Sequence, residues 1–86
     1  MNMTTLNNGI GTRIKSRRKE LKLTADTLGE MINRDRSTVY RYERNEVDNV
    51  SIKLLEEIAH CLRVTPAYLV GWETIEESDQ RMLEQK

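Results

Sequence analysis

Residues 35–46 read DRSTVYRYERNE, and within them Arg36, Arg41 and Arg44 stand among Ser37, Tyr40 and Tyr42. The whole chain of 86 residues has only three tyrosines and no phenylalanine, so two of the three fall here. A guanidinium can hold a phosphate or bond a guanine edge through two parallel hydrogen bonds. A serine hydroxyl can bond either base type or a phosphate, and a tyrosine can donate to phosphate or lie against a thymine methyl. The chemistry these residue types offer together is recognition of a polyanion.

Placed on a helix at about 100° per residue, the stretch divides into two faces. Arg36, Ser37, Tyr40, Arg41 and Arg44 fall on one side, and Thr38, Val39, Tyr42 and Glu43 on the other. Val39 and Tyr42 make an apolar inner stripe. Three cations and a phenol with no acid of their own make the outer face. Such cations repel one another on an isolated helix by a few tenths of a kcal/mol per pair, and a duplex phosphate backbone reverses that sign. Glu43 lies at the edge of the inner arc, where an acid wants a partner. Arg18, at a similar half-buried place on an earlier helix, is the expected one.

Other chemistries find little material. The chain holds one His and one Cys, the neighbours His60 and Cys61, which point about 100° apart on a helix. A nucleophile needs a base within hydrogen-bond reach and a structural zinc needs four ligands, so neither catalysis nor a metal is expected, and no cofactor is implied. One cysteine cannot form an internal disulfide, which suits a reducing, cytoplasmic setting. No apolar run approaches the roughly 18 residues that span a bilayer, so no membrane partner is expected. The net charge is zero, yet residues 1–44 hold ten Lys/Arg against five Asp/Glu, while residues 45–86 hold four against nine. The basic first half is the footprint of a polyanion ligand.

The elements that must position these residues are legible as short helices. Eighty-six residues make one domain, burying about 60% of the surface that the unfolded chain exposes. Residues 1–9 are polar and read as a flexible arm. It carries no Lys or Arg, which argues against a minor-groove role. Helix 1 is expected from about Gly11 to Leu21, with Ile14 and Leu21 on one face beside Arg17 and Arg18. Thr24 caps helix 2, with Leu23 and Leu28 at the spacing of a hydrophobic staple. Gly29 is unfavourable in a helix interior by roughly 1 kcal/mol and is tolerable where another backbone comes close. Asn33, tolerant of left-handed backbone, ends helix 2, and Asp35 caps helix 3 to about Arg44 or Asn45. Residues 45–49 form a polar loop. Ser51 caps helix 4, and Thr65-Pro66 starts a helix 5 that Gly71 stops. Trp72 is expected to pack back on the body. Residues 73–86 read as an acidic tail with a weak apolar stripe of Ile75, Met82 and Leu83.

From Gly11 to Trp72, 62 residues of the 86, the pattern resembles the Xre/Cro type of helix-turn-helix. IGTRIKSRRKELKLT is similar to that family's first helix and the cap of its second. LGEMINRDRSTVYRYERNE is similar to its turn, recognition helix and Glu-containing exit, and LLEEIAHCLRVTPAYLVGW to its helix 4 to helix 5 ending. The resemblance implies an all-α, compact five-helix bundle like the DNA-binding domain of lambdoid phage repressors, with residues 10–72 as the domain. It implies a sequence-specific regulator of transcription, with helix 3 in the major groove of duplex DNA. Base reading is then expected from Arg36, Ser37 and Arg41, with Tyr40 beside them. Phosphate contacts are expected from Arg17, Thr24, Thr38 and Arg44, and the Arg18–Glu43 pair is implied again. The sequence departs from the family pattern at Ala25, where a glutamine amide often meets a phosphate, at Gly29 for Ala, and at Asn33 for Gly.

The family mode is a homodimer on a palindromic operator, with half-sites about one helical turn apart. Helix 5, Trp72 and the 73–86 segment are the candidate dimer surface, the last also a possible hinge. The rival expectation is an antitoxin-type or other protein-interaction module on the same fold, with the acidic second half as its partner surface.

Overall fold

The structure is a computed structural model that describes the backbone of residues 3–47 and 50–84, and side chains from residue 9 onward. The first two residues of the expected arm, residues 48–49 of the expected loop and residues 85–86 of the expected tail lie outside it. Six α-helices follow in order: α1 (Met3–Glu20), α2 (Ala25–Met31), α3 (Arg36–Glu43), α4 (Ile52–Cys61), α5 (Pro66–Leu69) and α6 (Ile75–Glu84).

Two of these depart from expectation. Helix α1 begins at Met3, so the described part of the expected arm has helical backbone. The expected five helices become six because residues 75–84 form α6. Its start is a reciprocal cap: the Glu77 N–H donates to the Thr74 hydroxyl at 3.1 Å, and the Thr74 N–H to the Glu77 carboxylate at 2.8 Å. That arrangement satisfies two of the orphan donors at a helix start. Ser78 then anchors the helix. It is fully buried, and its hydroxyl accepts the Thr65 N–H at 2.9 Å.

The start of each helix from α2 to α5 is set by a side-chain cap. Thr24, Asp35, Ser51 and Thr65 each accept the N–H three positions on. The ends share a second device. Lys22, Asn33, Asn45 and Arg63 have φ of 59° to 61°, and Gly71 has φ of 88°. One residue further on, an N–H reaches back to a carbonyl five positions earlier, as from Leu23 to Arg18 and from Val64 to Ala59. This is the left-handed stop that satisfies a helix's last carbonyls. Three corners then repeat one spacing, a left-handed residue and a cap two places later: Lys22–Thr24, Asn33–Asp35 and Arg63–Thr65.

The core gathers where the stripes meet: Ile14 of α1, Leu28 of α2, Val39 of α3, Ile58 of α4 and Leu69 of α5, with Leu62 and Val64 at the α4 corner. Trp72 is not part of it. The residue is 74% exposed, while its backbone N–H closes the α5 end on the Ala67 carbonyl at 2.8 Å. Ile75, three residues later, packs against the core instead. Among the described residues no helix is long and apolar enough to cross a membrane.

Candidate nucleic-acid interface

Helix α3 is tied down at its start and twice at its end. At its start, α2 and the turn into α3 meet through backbone: a Cβ on Gly29 would lie 2.6 Å from the Arg34 carbonyl oxygen, so a side chain there would force the turn to shift. Asp35 caps the helix, its Oδ1 accepting the Thr38 N–H at 2.9 Å and the Thr38 hydroxyl at 2.7 Å. Those two bonds hold its carboxyl below the usual carboxylate range, with Arg41 adding a weaker attraction. At its last residue, Glu43 accepts two bonds from Arg18, at 2.5 and 3.1 Å, and the same guanidinium reaches the Leu23 carbonyl at 2.9 Å. Both residues are more than nine-tenths buried. The bonds to Glu43 push the Arg18 guanidinium further toward its charged form. At its end, the Gly11 N–H of α1 donates to the Asn45 side chain at 3.0 Å. A Cβ on Gly11 would lie 2.4 Å from the Tyr42 carbonyl oxygen, so α1 and α3 also touch backbone to backbone.

So held, α3 turns Val39 inward and leaves Tyr42 half-buried against the core. Arg36, Ser37, Tyr40, Arg41 and Arg44 are all exposed on the other side. This face is balanced by acids from neighbouring segments, which the helix taken alone does not reveal. Arg36 Nη1 lies 3.7 Å from an Asp26 oxygen on α2. Arg44 pairs with Glu46 through Nε at 2.9 Å and Nη2 at 3.2 Å. Glu46 is held below its usual range by Arg44, first through that hydrogen bond. The repulsion argued from the outer face alone is thus already reduced in the free protein.

The residues expected to hold phosphate are placed differently from one another. Arg17 is engaged within the fold. Its Nε donates to the Leu62 carbonyl at 2.9 Å and its Nη1 to Glu20 at 3.1 Å, and its side chain is 16% exposed. Leu62 is the C-cap of α4, so Arg17 neutralises the carbonyl end of that helix. Thr24 stays at the surface, accepting the Thr27 N–H at 3.0 Å. The Thr38 hydroxyl is engaged by Asp35. Asp26 and Asn45 escaped the sequence reading. Asp26 sits two places after a cap, where a dipole role already explains an acid. Asn45 was noted only as a possible end of helix 3 and as a loop residue.

A polar, positively charged helix surface, rigidly presented beside the preceding short helix, defines a helix-turn-helix protein. The chain belongs to that family, in its Xre/Cro type, and matches it over residues 14–69. It is 39% identical over 71 residues to the immunity repressor protein of Bacillus phage phi105, a match taking in 83% of this chain and 49% of that one. The chain therefore spans about half the length of that relative. It also superposes on SinR, the master regulator for biofilm formation, solved in complex with DNA. That likeness has a TM-score of 0.66 and 36% identity over 71% of this chain and 97% of the other. The SinR–SinI protein complex gives 0.67 and 33% identity over 88% and 73%.

Proposed function

We propose that the chain is a sequence-specific duplex-DNA-binding regulator, a repressor of phage or prophage type, acting in the cytoplasm as a dimer and by binding alone. Helix α3 enters the major groove. Arg36, Ser37, Tyr40 and Arg41 face base edges, and Thr24, Thr38 and Arg44 lie along the flanking phosphates. Arg17 serves the fold instead. The single observation that carries the reading is the exposed Arg36–Ser37–Tyr40–Arg41 face on a helix tied to its neighbours in three places. Such ties suit base recognition, because bidentate contacts need donors placed beforehand. The phage repressor and the DNA-bound SinR structure add weight.

Titrating the chain with random duplex at rising salt tests this. A protein neutralising several phosphates loses affinity steeply with salt. Undetectable binding at low salt would sink the reading. A second reading, a protein-interaction module, draws on the exposed Trp72 and Leu83 and on the likeness to the SinR–SinI complex. It would be favoured by that same failure. On the first reading, α5, Trp72 and residues 73–86 are the dimerisation surface or a hinge to it.

A further inference from the structure

Resting on the DNA reading of α3, we propose that Asp26 is a positioning residue for Arg36 and so sets the base preference at the start of the recognition helix. Asp26 is the second residue of α2 and Arg36 the first of α3, and their charged groups meet at 3.7 Å with both side chains near two-thirds exposed. The distance between the two backbones is fixed independently of the pair, by the close approach of Gly29 to the Arg34 carbonyl. A cation at a helix N-terminus is disfavoured by the helix dipole, and an unpaired arginine there samples many rotamers. Asp26 offsets the first effect and restricts the second.

The atoms used matter more than the energy of the pair, which is small for exposed ions. A guanidinium carries five N–H donors in a fixed fork. Asp26 meets Arg36 at Nη1, which leaves the Nε–Nη2 edge free for a two-bond contact with a guanine. Arg44 is the contrast. Glu46 takes both Nε and Nη2, so the edge that could read a base is occupied by an acid from its own loop. The two carboxylates therefore treat Arg36 and Arg44 differently. Asp26 aims Arg36 with its reading edge open, and Glu46 confines Arg44 to a charge role. Asp26 also brings a negative charge to a surface that meets phosphates, which weakens binding to every sequence.

The test selects bound duplexes from a random pool with the full chain, using wild type, Asp26→Asn, Asp26→Glu, Arg36→Ala and the Asp26→Asn/Arg36→Ala double variant. Asp26→Asn is expected to lower the base preference about threefold to tenfold at the position that Arg36→Ala flattens. It is expected to tighten random duplex by about twofold or more. Asp26→Glu restores part of the preference, and Asp26→Asn adds nothing at that position when Arg36 is absent. Unchanged base weights in Asp26→Asn, or a change that persists without Arg36, would overturn the proposal while leaving the DNA reading intact. A lowered melting temperature with unaltered weights would make Asp26 a helix-stabilising residue only and overturn it too. A wild type that selects no motif would overturn the DNA reading itself, and this inference with it.

Discussion

Arg18 leaves water on nearly every side, and both Glu43 oxygens and the Leu23 carbonyl replace it. A buried pair of this kind adds little net stability over apolar packing, but removing one partner strands the other charge. Arg18→Ala and Glu43→Ala should each lower unfolding stability by about 3 kcal/mol or more, and the double variant by much less than the sum. Chemical denaturation checks this, and strict additivity would contradict it. The pair was legible in the sequence because a helix wheel puts Glu43 at the inner edge of α3, where an acid needs a cation. Its neighbour Arg17, expected on phosphate, is bonded within the fold instead. Its acceptor is the backbone carbonyl of Leu62, and no side-chain pattern reveals a carbonyl 45 positions away. Arg17→Ala should therefore cost stability, by about 1–2 kcal/mol, and leave the salt dependence of DNA binding unchanged.

The helices of this chain are short, so their ends decide where they lie. Thr24, Asp35, Ser51 and Thr65 were readable as starts because a capping oxygen has few other reasons to precede an apolar stripe. Asn33 and Gly71 were readable as stops for the matching reason. Lys22 and Arg63 adopt the same left-handed backbone, but their side chains do not advertise it. The start of α6 did have a signal. Thr74 and Glu77 have the spacing of a capping box, which an acidic composition obscured. Gly29 is the sharpest case at this scale. Alanine is the better helix former, yet Gly29→Ala would set a Cβ 2.6 Å from the Arg34 carbonyl oxygen, a backbone atom with little freedom to retreat. The substitution should destabilise by about 1–3 kcal/mol and loosen the α2–α3 turn. A rise in melting temperature would show that the turn yields.

Over the whole molecule, the basic first half carries α1 to α3 and the acidic second half carries α4 to α6, the last packed on α5. That junction has polar bonds. Glu73 accepts the Thr65 hydroxyl and pairs with Arg81 at 2.6 Å, and Ser78 accepts the Thr65 N–H. The Thr65 bond, and then the Arg81 bond, hold the Glu73 carboxyl below its usual range. A depressed carboxyl contributes stability above its unfolded pKa and loses it as pH falls through its folded value. Docking of α6 should thus be indifferent to pH between about 6 and 8 and weaken below about pH 4, seen as lower protection of residues 75–84 against hydrogen exchange, relative to the intrinsic rate at each pH. Ser78→Ala, which leaves a buried N–H unpaired, should loosen the same segment at neutral pH by about 1–2 kcal/mol. These bonds involve no residue of α3, and the assignment of that helix's exposed face to base reading is independent of them. It is tested most directly by the affinity of wild type and Arg41→Ala for a selected duplex and for a scrambled one of equal length at one salt concentration. The expected result is a loss of roughly tenfold or more on the selected duplex and a much smaller loss on the scrambled one. Equal losses on both would make Arg41 a phosphate anchor and contradict the assignment of this face as the one that reads bases.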